Sequence, residues 1–588
     1  MKKIILGSAS AIALLAAGSA GAQTNNSSSV TQTGNGATAT VGQAGNQNDS
    51  IVEQAGSGNV RVEQTETLNR FPSTVRDGVT VRSNYSRVTQ AAAATTSSAV
   101  VRQAGELNLS RIDQTAGAST ADITQRNTFN QSDLTQNAAA TATVTQGGGY
   151  GDNKSAITQN AAGAEARVTQ SADSTTPTFF PTNDSTITQD DDATATVNQA
   201  GQNNASTISQ RASALNARAT VNQTATQGDS AAINTSTIDQ SAADAQADVT
   251  QTGGDNMSDV TQSGDADAVV IQNGSGNNST VDQSINAIAN VTQTGTDNAS
   301  DISQGGFNAG ASNRARADVV QSGDDNSSSV TQTYVGVTAD VRQLGDGNSS
   351  TVSQLSLGNN AATVRQGVAG NTGNGNASEI TQRFAQAATA TVTQTGDDNG
   401  STISQGGLGP MTVFVDQIGD DNGSSVTQTG SFGPSNVDVE QYSSGNSSDV
   451  TQNGDGLVTV VQGTTAGEGG GNSSSVSQVN SGGSFVDVSQ TGTGNGSLIS
   501  QTGGNGRFTD SNNEITLDQS GDDNFSDINQ GGFNNEISVL QSGNGNESTI
   551  DQGGSGNTAT VRQFSDGNVS SVTQSGSGNV ATVTQGVQ

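Results

Sequence analysis

The sequence predicts an all-β chain: a two-sheet β-solenoid of about 23 coils of roughly 22 residues, each coil made of two strand-turn units of about 11. Three observations predict it. The first is a period. Glutamine recurs at Gln541, Gln552, Gln563, Gln574 and Gln585, asparagine at Asn546, Asn557, Asn568 and Asn579, and an aliphatic residue at Ile550, Val561, Val572 and Val583. The second is parity. A strand sends alternate side chains to opposite faces. Asn546, Ser548, Ile550 and Gln552 therefore share one face, as do Asn557, Ala559, Val561 and Gln563; Asn568, Ser570, Val572 and Gln574; and Asn579, Ala581, Val583 and Gln585. The other face carries a variable mixture of Thr, Asp, Glu and Arg, so the repeated face is the buried one. The third is composition. Only 30% of the 588 residues are hydrophobic and 3% aromatic, with no Trp and 74 Gly, so a conventional apolar core is not available. Low hydrophobicity with a net charge of −33 would ordinarily indicate disorder. Stacked identical strands, however, can bury small and polar side chains that a globule cannot use.

Taken in order, the chain begins with Lys2 and Lys3, then the apolar run Ile4 to Ala17, then Ala20-Gly21-Ala22. This pattern predicts a secretory signal peptide over residues 1–22, too short to span a bilayer. No later segment resembles a transmembrane helix, so stable membrane insertion is not expected. With no Cys, export leads to no disulfides.

Residues 23–588 are predicted to form the repeat solenoid. About 46 strand-like phrases end on Gln, from Gln32 to Gln585. One kind follows Asn, as in Asn422 to Gln428 and Asn524 to Gln530. The other usually lacks that Asn and is richer in Ala and Val, as in Ala388 to Gln394 and Ala315 to Gln321. Their alternation makes the structural unit a pair of strands, one for each of two sheets. A buried amide left unpaired costs roughly 1 to 3 kcal/mol. Stacked on its copy in the next coil, each amide can accept from one neighbour and donate to the other. A slip of one residue would turn every Val and Gln outward, so the columns also fix register.

Turns such as Gly396-Asp397-Asp398-Asn399 and Gly521-Asp522-Asp523-Asn524 follow the Gln, where the chain reverses and needs positive φ. Their acids are expected to keep chains apart as gatekeepers or, alternatively, to bind calcium. Loop insertions are expected near 65–83, 171–182 and 463–471, and all five prolines (Pro72, Pro177, Pro181, Pro410, Pro434) fall between strands. Nothing from Val580 to Gln588 resembles a cap, and an uncapped solenoid end recruits another chain. Head-to-tail stacking does not close and so gives a filament.

With no His and no Cys, His-based acid/base catalysis, Cys nucleophiles and the usual zinc sites are excluded. Carboxylates lie at turns and on the outward parity, where a solvated surface is expected. Neither an enzyme nor a cofactor is predicted. Net negative charge argues against nucleic acid as a partner. Asn-x-Ser, as at Asn524-Phe525-Ser526, follows from two inward positions of one strand and is weak support for glycosylation. Outward Thr runs, as at Thr141, Thr143 and Thr145, are broken elsewhere by charges such as Arg316 and Asp318.

These residues resemble the curlin repeat family, whose pattern is Ser-x5-Gln-x-Gly-x2-Asn-x-Ala-x3-Gln. Everything after its serine is met at Gln552, Gly554, Asn557, Ala559 and Gln563, and again at Gln574, Gly576, Asn579, Ala581 and Gln585, with Asn546 and Asn568 at the serine position. The resemblance implies a secreted subunit that self-associates into curli-like amyloid fibres on the bacterial surface, serving adhesion and biofilm matrix. It also implies secretion and nucleation proteins as possible partners. A monomeric repeat adhesin or calcium-binding β-solenoid is the alternative.

Overall fold

The computed structural model describes residues 25–587 apart from 67–73, 77–78, 82, 150–151, 173–180, 226–232, 308–313, 356–357, 368–372, 431–432, 465–468, 480–481 and 504–510; the segment read as a signal peptide lies outside the described residues. All regular structure among the described residues is β-strand. The chain divides into two compact units, Met1–Ser284 and Ile285–Gln588, each a parallel two-sheet β-solenoid.

In the first unit, Asn-led strands run from Ser27–Gln32 to Asn278–Gln283, and strands of the second kind from Thr38–Ala44 to Asp267–Ser275. Each strand pairs with the next of its own kind and not with its neighbour in sequence. The second unit repeats the scheme, from Ala299–Phe307 to Val569–Gln574 in the Asn-led sheet and from Ala287–Thr296 to Val580–Gln585 in the other. Twenty-three strands of each kind occur among the described residues, which is the coil number expected from the glutamines.

Register follows the columns. Gln lies beside Gln and the aliphatic residue beside its counterpart, as in Ile550↔Val572 and Gln552↔Gln574. The sheets differ at the first inward position. Asn-led strands carry Asn-x-Ser there, whereas the other sheet mostly carries a small residue; Ala193, Ala217 and Ala245 with Ala214 form one buried cluster, and Ala385, Ala388 and Met411 another. Alternate residues are buried along almost every strand, and the outward ones are half-buried or exposed.

Glycine is required where turns stack most closely, as at Gly554. Gly554 has φ +103°, and a Cβ there would lie 1.8 Å from the carbonyl oxygen of Gly576 in the next coil. Only a residue without a side chain permits that close stacking of turns.

Of the insertions, residues 65–83 contain an antiparallel hairpin, Thr74–Arg76 with Val79–Val81. The centres of 171–182 and 463–471 lie outside the described residues, as do Pro72 and Pro177. Pro410 and Pro434 precede strands. Pro181 departs from the expectation that every proline lies between strands, since it opens Pro181–Gln189 opposite Asp152. The register shifts by one residue beside it, and a strand's first position is where a missing N–H is tolerated.

Candidate functional site

The candidate site is the set of repeated columns, taken rung by rung, a rung being one strand of each sheet. Most buried Gln side chains make a bond along their sheet and another across the core. Gln382 Nε2 donates to Gln405 Oε1 at 2.9 Å, and Gln405 Nε2 donates to Gln428 Oε1 at 3.0 Å. The second N–H of Gln405 reaches the Thr389 carbonyl of the facing sheet at 3.1 Å. The along-sheet ladder is what the sequence predicts. The cross-core bond is not legible there, because it depends on which carbonyl the opposite strand presents. It ties the two sheets together at most rungs.

The Asn column runs the other way. Asn568 Nδ2 donates back to Asn546 Oδ1 at 2.9 Å, and Asn546 Nδ2 to Asn524 Oδ1 at 3.0 Å. In the second sheet the backbone N–H of Asn579 donates to Asn557 Oδ1 at 2.8 Å. Glutamines therefore donate toward higher residue numbers and asparagines toward lower ones. Every rung has a direction, written twice in opposite senses.

The sixteen residues singled out above fall into two groups. Asn546, Ser548, Ile550, Gln552, Asn557, Ala559, Val561 and Gln563 are buried. Ser570, Val572 and Gln574 are buried at 6–7% exposure, while Asn568 is half-buried. Asn579 is exposed, and Ala581, Val583 and Gln585 are half-exposed. Gln585 accepts from Gln563 at 2.9 Å and donates to the Val569 carbonyl; Gln574 accepts from Gln552 at 2.8 Å and donates to the Thr558 carbonyl. In the first unit, Gln32 donates to Gln54 at 2.7 Å, and its Oε1 is buried with no partner.

A third column, in the turns of the second unit, was missed by sequence reasoning. The backbone N–H of Asp324 donates to Asp346 Oδ1, that of Asp346 to Asn374 Oδ1, that of Asn374 to Asp397 Oδ1 and that of Asp397 to Asp420 Oδ1, all at 2.8–2.9 Å. Asp420 N–H continues to Ser444 Oγ at 3.1 Å. The following residue holds left-handed φ, near +56° at Asp398 and +58° at Asp421, where other coils place Gly347, Gly375 or Gly545. The two aspartates of Gly-Asp-Asp-Asn thus have different local tasks: one caps the neighbouring turn, and the other substitutes for Gly, as Asp and Asn do at positive φ. These tasks account for the turn acids without a cation, and for the coils where Asn, Ser or Gly replaces them. Among the described residues no group of three or more His, Cys, Asp or Glu is arranged to hold a metal ion.

Outward carboxylates are less solvated than expected. Asp416 and Asp438 occupy adjacent rungs beside Glu440, and Asp438 pairs in register with Phe414. Burial first, and the Glu440 charge second, raise both aspartates above the usual carboxylate range. The Tyr442 hydroxyl is pushed up to about 12 by burial and by its 2.8 Å hydrogen bond to Glu440. Burial likewise raises Asp487 and Asp518 farther along the same face.

No helix among the described residues is long and apolar enough to cross a membrane. No curated protein matches the chain. The sequence profile of the curlin associated repeat matches residues 511–539, 532–564 and 554–586. The matched stretch coincides with the rungs in which both sheets open on Asn, at Asn513, Asn535, Asn557 and Asn579 in the second sheet. The C-terminal coils of this β-solenoid match the curlin associated repeat.

Proposed function

We propose that the chain is an exported structural subunit that polymerises end to end into extracellular curli-like amyloid fibres, serving adhesion and biofilm matrix. The curlin associated repeats and the β-solenoid fold point to a structural protein. The observation that carries the reading is the in-register stacking of identical rungs, in which Asn557, Ala559, Val561 and Gln563 are fully buried and Gln lies beside Gln in successive pairings. A strand edge with unpaired backbone groups over such a face is a template for the next strand.

The opposed polarities of the Gln and Asn columns support one orientation. At the C-terminal rung the next Gln of the column must accept and the next Asn must donate, and the rung of Ser27–Gln32 presents a buried Gln32 acceptor. Like ends brought together would set donor against donor. Head-to-tail addition to a second copy is thus the favoured self-association, with secretion and nucleation proteins as further partners.

The test is assembly of the purified mature chain. Fibrils by electron microscopy with a cross-β reflection near ~4.8 Å, and loss of the lag when preformed fibrils are added, are expected. A chain that stays monomeric at high concentration overturns the reading.

A further inference from the structure

The outward face of the Asn-led sheet in the second unit has an unusual composition. Nine successive strands, Ala299–Phe307 through Gly496–Gly503, stack in parallel there, with one irregularity after Gln304. Each presents three outward side chains. The first column holds only Ala, Ser or Gly across all nine strands, and the third only Ser or Thr. The middle column is Ser or Thr except for Asp301, Glu379, Asp449 and Leu498. These three columns hold no Lys, Arg or aromatic residue; Tyr334 and Arg383 lie past the third column, at the ends of their strands. In the first unit the same face carries Tyr85, Arg87, Arg111 and Lys154.

We propose that this face is a lateral docking surface for a second copy of the chain, distinct from the end rungs. Two arguments select that occupant. Nine strands at ~4.8 Å spacing and a width of ~20 Å give roughly 900 Å² per copy, or about 1,800 Å² for a pair, the size of a stable protein–protein interface. Small side chains also let two sheets approach closely enough to interdigitate, as in a steric zipper, and Ser and Thr lose little rotamer freedom on burial.

Charge placement fixes the symmetry. The acids stand on the first, fourth and seventh of the nine strands. A two-fold axis along the strand direction, through Thr402 on the fifth strand, sets Glu379 opposite Ser425 and Asp449 opposite Thr351. Each of those carboxylates then meets a hydroxyl donor, Asp301 meets Leu498, and no acid faces another. Thr402, Ser425, Glu379, Thr351 and Asp449 are all exposed and available for such a contact.

Charge substitution at Ser425 in the whole mature chain tests this, read by sedimentation velocity and by the proportion of paired filaments in electron micrographs. Ser425→Glu, facing Glu379 of the second copy, is expected to weaken lateral pairing at least tenfold at low salt, and Ser425→Lys to strengthen it. Thr402→Arg, which would collide with itself across the axis, is expected to leave single, unpaired filaments. Thr391→Arg on the opposite sheet should change nothing, and circular dichroism verifies that each variant is folded. Equal pairing in Ser425→Glu and Ser425→Lys overturns the proposal. So does unpaired wild type. Filament formation itself is unaffected by these variants, so failure of lateral pairing is separable from failure of end stacking.

Discussion

Replacing Gln405 by Leu tests whether the amide ladder holds the coils together. The side chains are similar in volume, so the change removes polar contacts and creates little cavity. It deletes the donor to Gln428 Oε1, the donor to the Thr389 carbonyl and the acceptor for Gln382 Nε2, at 3.0, 3.1 and 2.9 Å respectively. All three glutamines are buried at 1% exposure or less. Each orphaned buried group costs roughly 1–3 kcal/mol, and the added apolar burial returns about 1–2 kcal/mol. The expected net loss for the three orphaned groups is about 1–8 kcal/mol. In a quasi-one-dimensional fold that loss is local. Hydrogen exchange should therefore accelerate in strands Ala377–Arg383, Gly400–Gly406 and Gly423–Thr429 before it does so in distant coils, and the first step of denaturant unfolding should move to lower concentration. The outward neighbour provides the control, with Ser404→Ala within about 0.5 kcal/mol of wild type. A Gln405→Leu protein as stable as the control, with unchanged exchange, would refute the reasoning.

Three further outcomes follow from the same geometry. Ser378 is buried with its hydroxyl unpartnered, so Ser378→Ala should leave the melting temperature unchanged or raise it, opposite to the usual effect of a polar deletion. In the turn column, Asp420→Ala should cost about 1 kcal/mol by orphaning the Asp397 N–H, whereas Asp420→Asn should be near neutral, because Asn374 and Asn544 do that task in other coils. Asp416, Asp438, Asp487 and Asp518 are raised in the folded chain, which therefore holds protons more tightly than the unfolded chain. The stability they contribute is complete below the ordinary carboxylate pKa and is lost as pH rises through the raised values. Melting temperature should accordingly rise as pH falls from neutral into the acid range, with a shallower slope in Asp416→Asn/Asp438→Asn.

Much of the fold can be read from the sequence because one residue type punctuates it. Gln falls within the last four residues of every strand of both sheets, so strand number, parity and pairing follow from its spacing. Asn before Ser distinguishes the sheets, and the same two columns reappear as the ladders. What escaped was set by groups that meet only across rungs or across the core. The two aspartates of Gly396-Asp397-Asp398-Asn399 look equivalent in one dimension. Yet Asp397 accepts from the Asn374 N–H of the preceding coil, and Asp398 takes a left-handed backbone angle. The shift at Asp438 comes from burial first and then from the Glu440 and Asp416 charges, and Asp416 lies on a neighbouring strand that only strand pairing brings near. The second amide bond of most buried Gln side chains ends on a main-chain oxygen, which no side-chain pattern records.

The unlike first positions of the two sheets restrict how such a gene can change length. Upstream of Asn513, deleting or duplicating a single half-coil would set every later Asn-x-Ser strand on a sheet that mostly opens with Ala or another small residue, ending the Asn column at that point. Removing or adding a whole coil would leave all columns continuous. From Asn513 onward both sheets open on Asn, and a half-coil change there disturbs only the Ser and Ala or Ile columns. The chain can therefore gain or lose length in steps of two strands along most of its sequence, and in steps of one only within its last coils.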